Sequence, residues 1–336
     1  MTPEKTSKMP VELATRTIKA GRDAARAAAS CLAGGGLVAF PTETVYGLGA
    51  DATNADAIAR LYLAKGRPSF NPLIAHVGTL AAAKKIARFN EHSLKLAQSF
   101  WPGPMTLVLP KAESCPVSDL ATAGLETVAV RIPAHPVARD ILEAFGKPVV
   151  APSANVSGHV SPTTAQHVSD DLSGRIDLIV DGGPVDVGVE STIVGCFGEP
   201  VLLRPGGLPR AEIERVLGAP LAQPTEEADT SDAHPLAPGM LASHYAPHTP
   251  VRLKASHLEP GEVLLAFGPA LSGADPLRVL NLSPRGDLIE AAANLFGHLR
   301  LLDAREARAI AVMPIPDDGL GEAINDRLRR AAVPRG

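Results

Sequence analysis

The chain has 336 residues, of which 45% are hydrophobic and only 4% aromatic, and its formal net charge is -4. That length suffices for two domains with aliphatic, Ala-rich cores, and the acidic balance argues against chain-wide affinity for nucleic acid while leaving room for a local basic pocket. Cys31, Cys115 and Cys196 are too far apart for a CxxC metal site and too few for a disulfide framework, as expected in a reducing cytosol.

The first sixteen residues carry no apolar segment and are expected to be flexible. No apolar run approaches membrane-spanning length, so cytoplasmic residence without membrane contact is expected. From Ile18 to Ala33 the pattern predicts a helix, then GLVAF a strand, Ala55 to Ala64 a helix and PLIAHV a strand. A helix pair between Leu80 and Phe100 follows. Strands at MTLVL and TVAVRI, a helix from Val137 to Phe145, and strands at PVVAP, DLIV, STIVG and VLLR complete the series. This alternation predicts a mixed α/β sheet flanked by helices.

Between Gly218 and Pro250 apolar periodicity vanishes. A connection of that length is a linker or a functional lid, and the grouping of Met240, His244 and Tyr245 near its end favours a lid. Beyond Pro250, strands at VRLK, EVLLAFG, VLNL and AIAVMPI alternate with helices at Asp287–Leu302 and Gly321–Arg330, a second, smaller α/β domain without a polar cluster.

Standard phosphate loops are absent. Gly34 to Gly36 follow a helix rather than a strand, GLGADA at Gly47 to Ala52 sits too far from its preceding strand, and no G-x-x-x-x-G-K-[ST] occurs. KGRP, from Lys65 to Pro68, is accounted for as a helix end, with a cation in the last turn, Gly66 past it and a proline stop. Yet Arg67, Ser69 and Asn71 crowd the connection to a strand that ends at His76, which favours a polar site. In TVAVRI, alternation puts Thr127 and Arg131 on one face about 13 Å apart, close enough to touch opposite ends of an extended ligand. Arg131 cannot be buried there without an anion; otherwise this face is solvent-exposed. After PVVAP come Ser153, Asn155 and Ser157, then Ser161-Pro162, which suits an N-cap and first helical position. His244 and His248 have i,i+4 spacing, but Pro247 interrupts them and no further zinc ligand is near.

PTETVYGLG, KGR, the PSAN that follows RIP, and HYAP together resemble the YrdC-like threonylcarbamoyl-AMP synthases in their long two-domain form. The resemblance runs from about Thr17 to the C-terminus and is strongest from Pro41 to Thr163. It implies a YrdC-like twisted mixed sheet flanked by helices, plus a small C-terminal Rossmann-like α/β domain. The implied division is a flexible N-terminus (1–16), a catalytic domain (17–217), a linker and lid (218–250) and the C-terminal domain (251–336). The implied reaction joins L-threonine, bicarbonate or CO2, and ATP into L-threonylcarbamoyl-adenylate and pyrophosphate, with Mg²⁺ and without zinc, flavin or NAD. Its product feeds the tRNA threonylcarbamoyl transferase machinery, and the chain itself is not expected to bind tRNA stably.

By the same resemblance Lys65 and Arg67 are the catalytic cations, and they line the nucleotide pocket with Ser153 and Asn155. Asn71, Thr127, Ser161, Arg204 and Tyr245 complete the ATP contacts, while Thr44, His76, Arg131, Ala151 and Ser191 hold threonine. Leu241, Ala242 and Ser243 depart from the more basic stretch of some relatives, which removes phosphate contacts there. An RNA-binding module or a noncatalytic YrdC-like module are the rival readings; the scarcity of aromatic residues counts against the first.

Overall fold

The computed structural model describes residues 13–223, 245–271 and 275–333. Ten strands form the first sheet: β1 (Arg16–Lys19), β2 (Val38–Pro41), β3 (Tyr46–Asp51), β4 (Ile74–His76), β5 (Met105–Pro110), β6 (Thr127–Arg131), β7 (Val149–Val150), β8 (Leu178–Asp181), β9 (Thr192–Gly195) and β10 (Val201–Arg204). They lie in the order β1-β8-β2-β3-β7-β4-β6-β5-β9-β10, with parallel and antiparallel pairs mixed. Seven helices accompany them: α1 (Arg22–Ala33), α2 (Ala55–Lys65), α3 (Leu80–Ile86), α4 (Glu91–Phe100), α5 (Pro136–Phe145), α6 (Ala165–Leu172) and α7 (Arg210–Leu217).

Helices cover both faces because both carry apolar side chains. On one, Ala24, Ala28 and Leu32 of α1 and Ile141 and Leu142 of α5 pack on Val38, Phe40, Val149 and Val180. The alanines at i, i+4 spacing leave no bulk between helix and sheet, so α1 packs close. On the other, Ile58 and Leu61 of α2, Leu96 of α4, Val168 of α6 and Ile213 of α7 meet Leu48, Leu107 and Val130.

The second sheet is parallel throughout, ordered β11-β14-β12-β13 from β11 (Val251–Arg252), β12 (Val263–Ala266), β13 (Val279–Asn281) and β14 (Ile310–Val312). Parallel neighbours require crossovers; α8 (Leu288–Asp303) runs between β13 and β14, and α9 (Gly321–Ala331) closes the chain. Among the described residues no helix is long and apolar enough to cross a membrane.

The two units share a core. Val45, Val160 and Val189 of the first cluster with Leu295, Phe296, Leu299, Ile324 and Leu328 of the second. Gly188 makes the contact possible: its φ is +78°, and a Cβ there would sit 2.3 Å from the Ala292 carbonyl oxygen in α8. Arg300 of α8 forks onto Asp171 of α6, with Nη1–Oδ1 at 3.2 Å and Nη2–Oδ2 at 3.0 Å.

That fork has a pH signature. Burial alone would raise the Asp171 carboxyl, but His159 at 3.9 Å and the hydrogen-bonded Arg300 outweigh it and bring it down to about 2. A carboxyl depressed on folding adds stability above its unfolded value and loses it as pH falls toward the folded one. The stability gap between wild type and D171N should therefore shrink by about 2 kcal/mol between pH 5 and pH 2 in urea unfolding. A gap independent of pH would show that the fork does not titrate this way.

Four expectations need correction. The stretch from Ile18 to Ala33 is not one helix: Arg16–Lys19 is a strand paired in parallel with β8, and α1 starts only after Gly21. YGLGAD is strand β3, buried on both faces and therefore without polar alternation. Ser161 is not an N-cap: the Pro162 carbonyl accepts from the Tyr46 amide, which keeps this stretch beside β3, and Thr164 caps α6 instead. The alternative of a solvent-exposed face on β6 does not hold: Ala129 and Arg131 are both buried, the latter with an anion, Glu43. The expected linker falls largely on residues 224–244, and the expected flexible N-terminus largely on 1–12, both outside the described residues.

Candidate active site

Strand ends and turns on the first sheet converge on one cavity. The β2–β3 turn supplies Thr42, Thr44 and Val45; β4 ends at His76, β6 at Arg131 and β10 at Arg204. The connection after β7 adds Ala151, Pro152 and Ser153, and Glu190 and Ser191 precede β9. Gly47, Arg67, Ile74 and Tyr245 complete the wall. About 50 Å³ of space remains inside.

Sheet register sets one end of the cavity. His76 is the Cα partner of Arg131 on parallel strands, which puts both side chains side by side on one face. Arg131 finds its anion within the chain: Nη2 donates to Glu43 Oε1, Nη1 donates to Thr44 Oγ1 at 3.0 Å and Nε to the Gly103 carbonyl at 3.2 Å. The other Glu43 oxygen accepts the amides of Ala134 and His135. Burial opposes ionisation of Glu43, yet Arg131 outweighs it and holds the carboxyl below its usual value. Burial first, and Arg131 second, push His76 down to about 3, so its ring is neutral near pH 7. Ser191 Oγ lies 2.8 Å from Thr106 Oγ1, and its carbonyl accepts Arg204 Nη2 at 2.8 Å.

The opposite end is built by the turn after α2. Asn54 caps that helix by accepting the Asp56 and Ala57 amides, and Gly66 ends it in the left-handed region at φ 59°, as the sequence predicts. The turn sends Lys65 inward beneath the wall: its Nζ donates to the carbonyls of Ser153, at 2.6 Å, and Asn155. Lys65 thus holds the S-x-N loop in place. Arg67 lines the cavity but is not the unpartnered post-helix residue its sequence position suggests. It is buried, and donates to the carbonyls of Asn71 at 3.3 Å and Pro72 at 3.0 Å. Burial lowers Lys65 well below its ordinary value and Arg67 to about 10.

Asn71 and Asn155 sit outside the wall, each with a buried side-chain oxygen that accepts no hydrogen bond among the described residues. Ser161, also outside it, is fully buried and donates to Glu190. Thr127 lies at the far end of β6 from Arg131 and does not line the cavity. The cavity thus gathers Arg67, Ser153, Arg204, Tyr245, Thr44, His76, Arg131, Ala151 and Ser191 and leaves Lys65, Asn71, Thr127, Asn155 and Ser161 behind or beyond it.

Sequence reasoning passed over Glu43, Glu190 and Arg327. Glu43 lies within PTETVY and Glu190 precedes Ser191, so the demand of Arg131 for an anion was the signal available. Nothing in NDRLRR marks Arg327. Among the described residues no group of three His, Cys, Asp or Glu could hold a metal.

A two-unit α/β protein with a guanidinium-lined pocket at its strand ends is the class so defined. Residues 30–206 match the Sua5/YciO/YrdC family, described as "Telomere recombination", and residues 208–333 match "Threonylcarbamoyl-AMP synthase, C-terminal domain". The chain belongs to the threonylcarbamoyl-AMP synthase family. It is 43% identical to the threonylcarbamoyl-AMP synthase of Pyrococcus abyssi over 91% of this chain and 93% of that one. The enzyme of that name from Bacillus subtilis is 42% identical over 91% and 92%. A solved structure, described as P. abyssi Sua5 complexed with L-threonine, superposes with a TM-score of 0.85 at 40% identity, covering 95% of this chain and 97% of that one.

Proposed function

We propose that this chain is a nucleotidyltransferase that makes L-threonylcarbamoyl-adenylate from L-threonine, bicarbonate or CO2, and ATP, releasing pyrophosphate. The observation that carries the reading is one cavity that gathers the buried guanidinium groups of Arg131, Arg67 and Arg204 with Thr44, His76 and Ser191. The family membership and the threonine-bound relative support it.

In this reading Arg131 takes the threonine carboxylate, while Thr44, His76, Ala151 and Ser191 seat the rest of the amino acid. The amine, once deprotonated, adds to CO2 to give a carbamate. A carbamate oxygen then attacks the α-phosphorus of ATP, and the bond to the β-phosphate oxygen breaks as pyrophosphate leaves. Negative charge builds up through both steps, so fixed cations and correct placement are the means of acceleration. Arg67 and Arg204 offset that charge. Lys65 acts from below by fixing Ser153 and Asn155, and Mg²⁺ enters on the triphosphate. Asn71, Asn155, Ser161 and Thr127, which the resemblance assigns to ATP, lie behind or beyond the wall, so in this reading they support the pocket from outside it. His76, neutral down to about pH 3, binds substrate and is too weak a base to take its proton.

A carbamate and its anhydride with phosphate are lost to water, which gives Tyr245, buried over the cavity, a shielding role. Residues 17–217 form the catalytic unit in this reading, 218–250 the linker and lid, and 251–336 the covering unit. The product passes to the tRNA threonylcarbamoyl transferase machinery in the cytoplasm, and the chain itself holds no tRNA stably. Purified full-length protein with ATP, Mg²⁺ and bicarbonate should release pyrophosphate only when threonine is added. Release without threonine dependence, or none, would reject the reading.

A further inference from the structure

Helix α9 of the second unit sends one side chain across the interface into the first. Arg327 is fully buried, the largest such side chain among the described residues. Its Nε donates to Glu190 Oε2 at 2.8 Å, and its Nη1 to the Pro205 carbonyl at 2.9 Å and to Asp326 Oδ2 at 2.6 Å. The guanidinium carbon lies 5.3 Å from the centre of the Tyr245 ring, which stacks on Phe296 of α8 at 5.6 Å.

Glu190 is the other half of this contact, and it is the one that lines the cavity. Its Oε1 accepts the Ser161 hydroxyl, and its own carbonyl accepts the Gly207 amide at 2.8 Å. A carboxylate on the wall of a pocket for a polyanion is a liability, since like charges in a poorly screened site repel by an amount large on the scale of binding. Arg327 is not part of the cavity wall; of the residues it contacts, Glu190 and Tyr245 line the cavity, and Glu190 is the one that carries charge.

We propose that Arg327 is a positioning residue for the nucleotide: from the second unit it neutralises and orients Glu190, and through that carboxylate it sets Ser161. The proposal rests on the reading that this pocket holds ATP. It gives the second unit a task inside the pocket as well as over it. Burial would push the Glu190 carboxyl up, but Arg327, Arg204 and the Ser161 hydroxyl together hold it down, so the group stays ionised as the contact requires. Further out, Asp326 also accepts Arg330 Nε at 3.1 Å, so charges alternate in sign from the surface of α9 inward to Glu190.

The test is a double-mutant cycle on the full chain, read as separate KM values for ATP and threonine in pyrophosphate release. R327M leaves Glu190 bare and should raise the KM for ATP about tenfold or more, with a much smaller change for threonine, which carries no net charge. E190Q removes the bare charge, so E190Q/R327M should have an ATP KM within about twofold of E190Q alone. Equal rises for ATP and threonine in R327M overturn the proposal, as does an ATP KM in the double variant about tenfold above that of E190Q. Should R327M not fold, the comparison of E190Q with E190Q/R327M decides by itself. A double variant that fails to fold where E190Q folds also overturns it, because Arg327 would then serve packing alone. If wild type shows no threonine-dependent release, it is the functional reading that fails, an outcome distinct from all of these.

Discussion

R131A should lower threonine-dependent pyrophosphate release by about a hundredfold or more and destabilise the fold by about 3–5 kcal/mol. Both losses come from one geometry. Arg131 holds Glu43 with one guanidinium nitrogen and Thr44 with another, so its removal strands a buried carboxylate and takes from the cavity the cation proposed to hold the threonine carboxylate. The two effects separate in E43Q/R131M, which buries no unpaired charge. That variant should regain most of the stability, by urea unfolding, and none of the activity. Near-normal threonine turnover by it would show that Arg131 supports the fold without binding substrate.

K65M is expected to cost about 2–4 kcal/mol and to raise the KM for ATP about tenfold, with kcat less affected. Methionine keeps most of the apolar stem, so the cavity left behind is small, but two carbonyls of the S-x-N loop lose their donor. The loop also bonds back to the helix end through the Ser157 amide and the Lys65 carbonyl, so part of its placement survives. Thermal melting together with initial rates at varied ATP would measure both. A variant with wild-type KM and lowered kcat would assign Lys65 to the chemical step in place of the loop.

The sequence made the local devices of the fold legible. Lys65 and Gly66 announced the C-terminal end of α2, and the alternation in TVAVRI correctly paired Arg131 with Ala129 on one face. It failed where the deciding contact is distant. The anion that Arg131 demanded is 88 residues away in the chain, and the partner of Glu190 is 137 away. No spacing rule connects such residues before the sheet order is known. β3 was hidden for another reason: Gly47 and Gly49 are poor strand formers, yet a Cβ at Gly49 would press on Phe40 at 2.7 Å, so packing between neighbouring strands selects glycine against propensity. Ser161-Pro162 carries every local mark of a helix start, but the carbonyls of Pro162 and Thr163 accept the amides of Tyr46 and Val185, and the helix begins only after Thr164.

The cavity holds only about 50 Å³, and Tyr245 in its wall packs against both Arg327 and Phe296 of the second unit. Where nucleotide binding displaces that ring, the apparent constant is the intrinsic one divided by the fraction of molecules with the ring displaced. Tight association and fast arrival thus become opposing demands on one aromatic side chain, and sequence changes that loosen its stack would favour entry at the expense of retention.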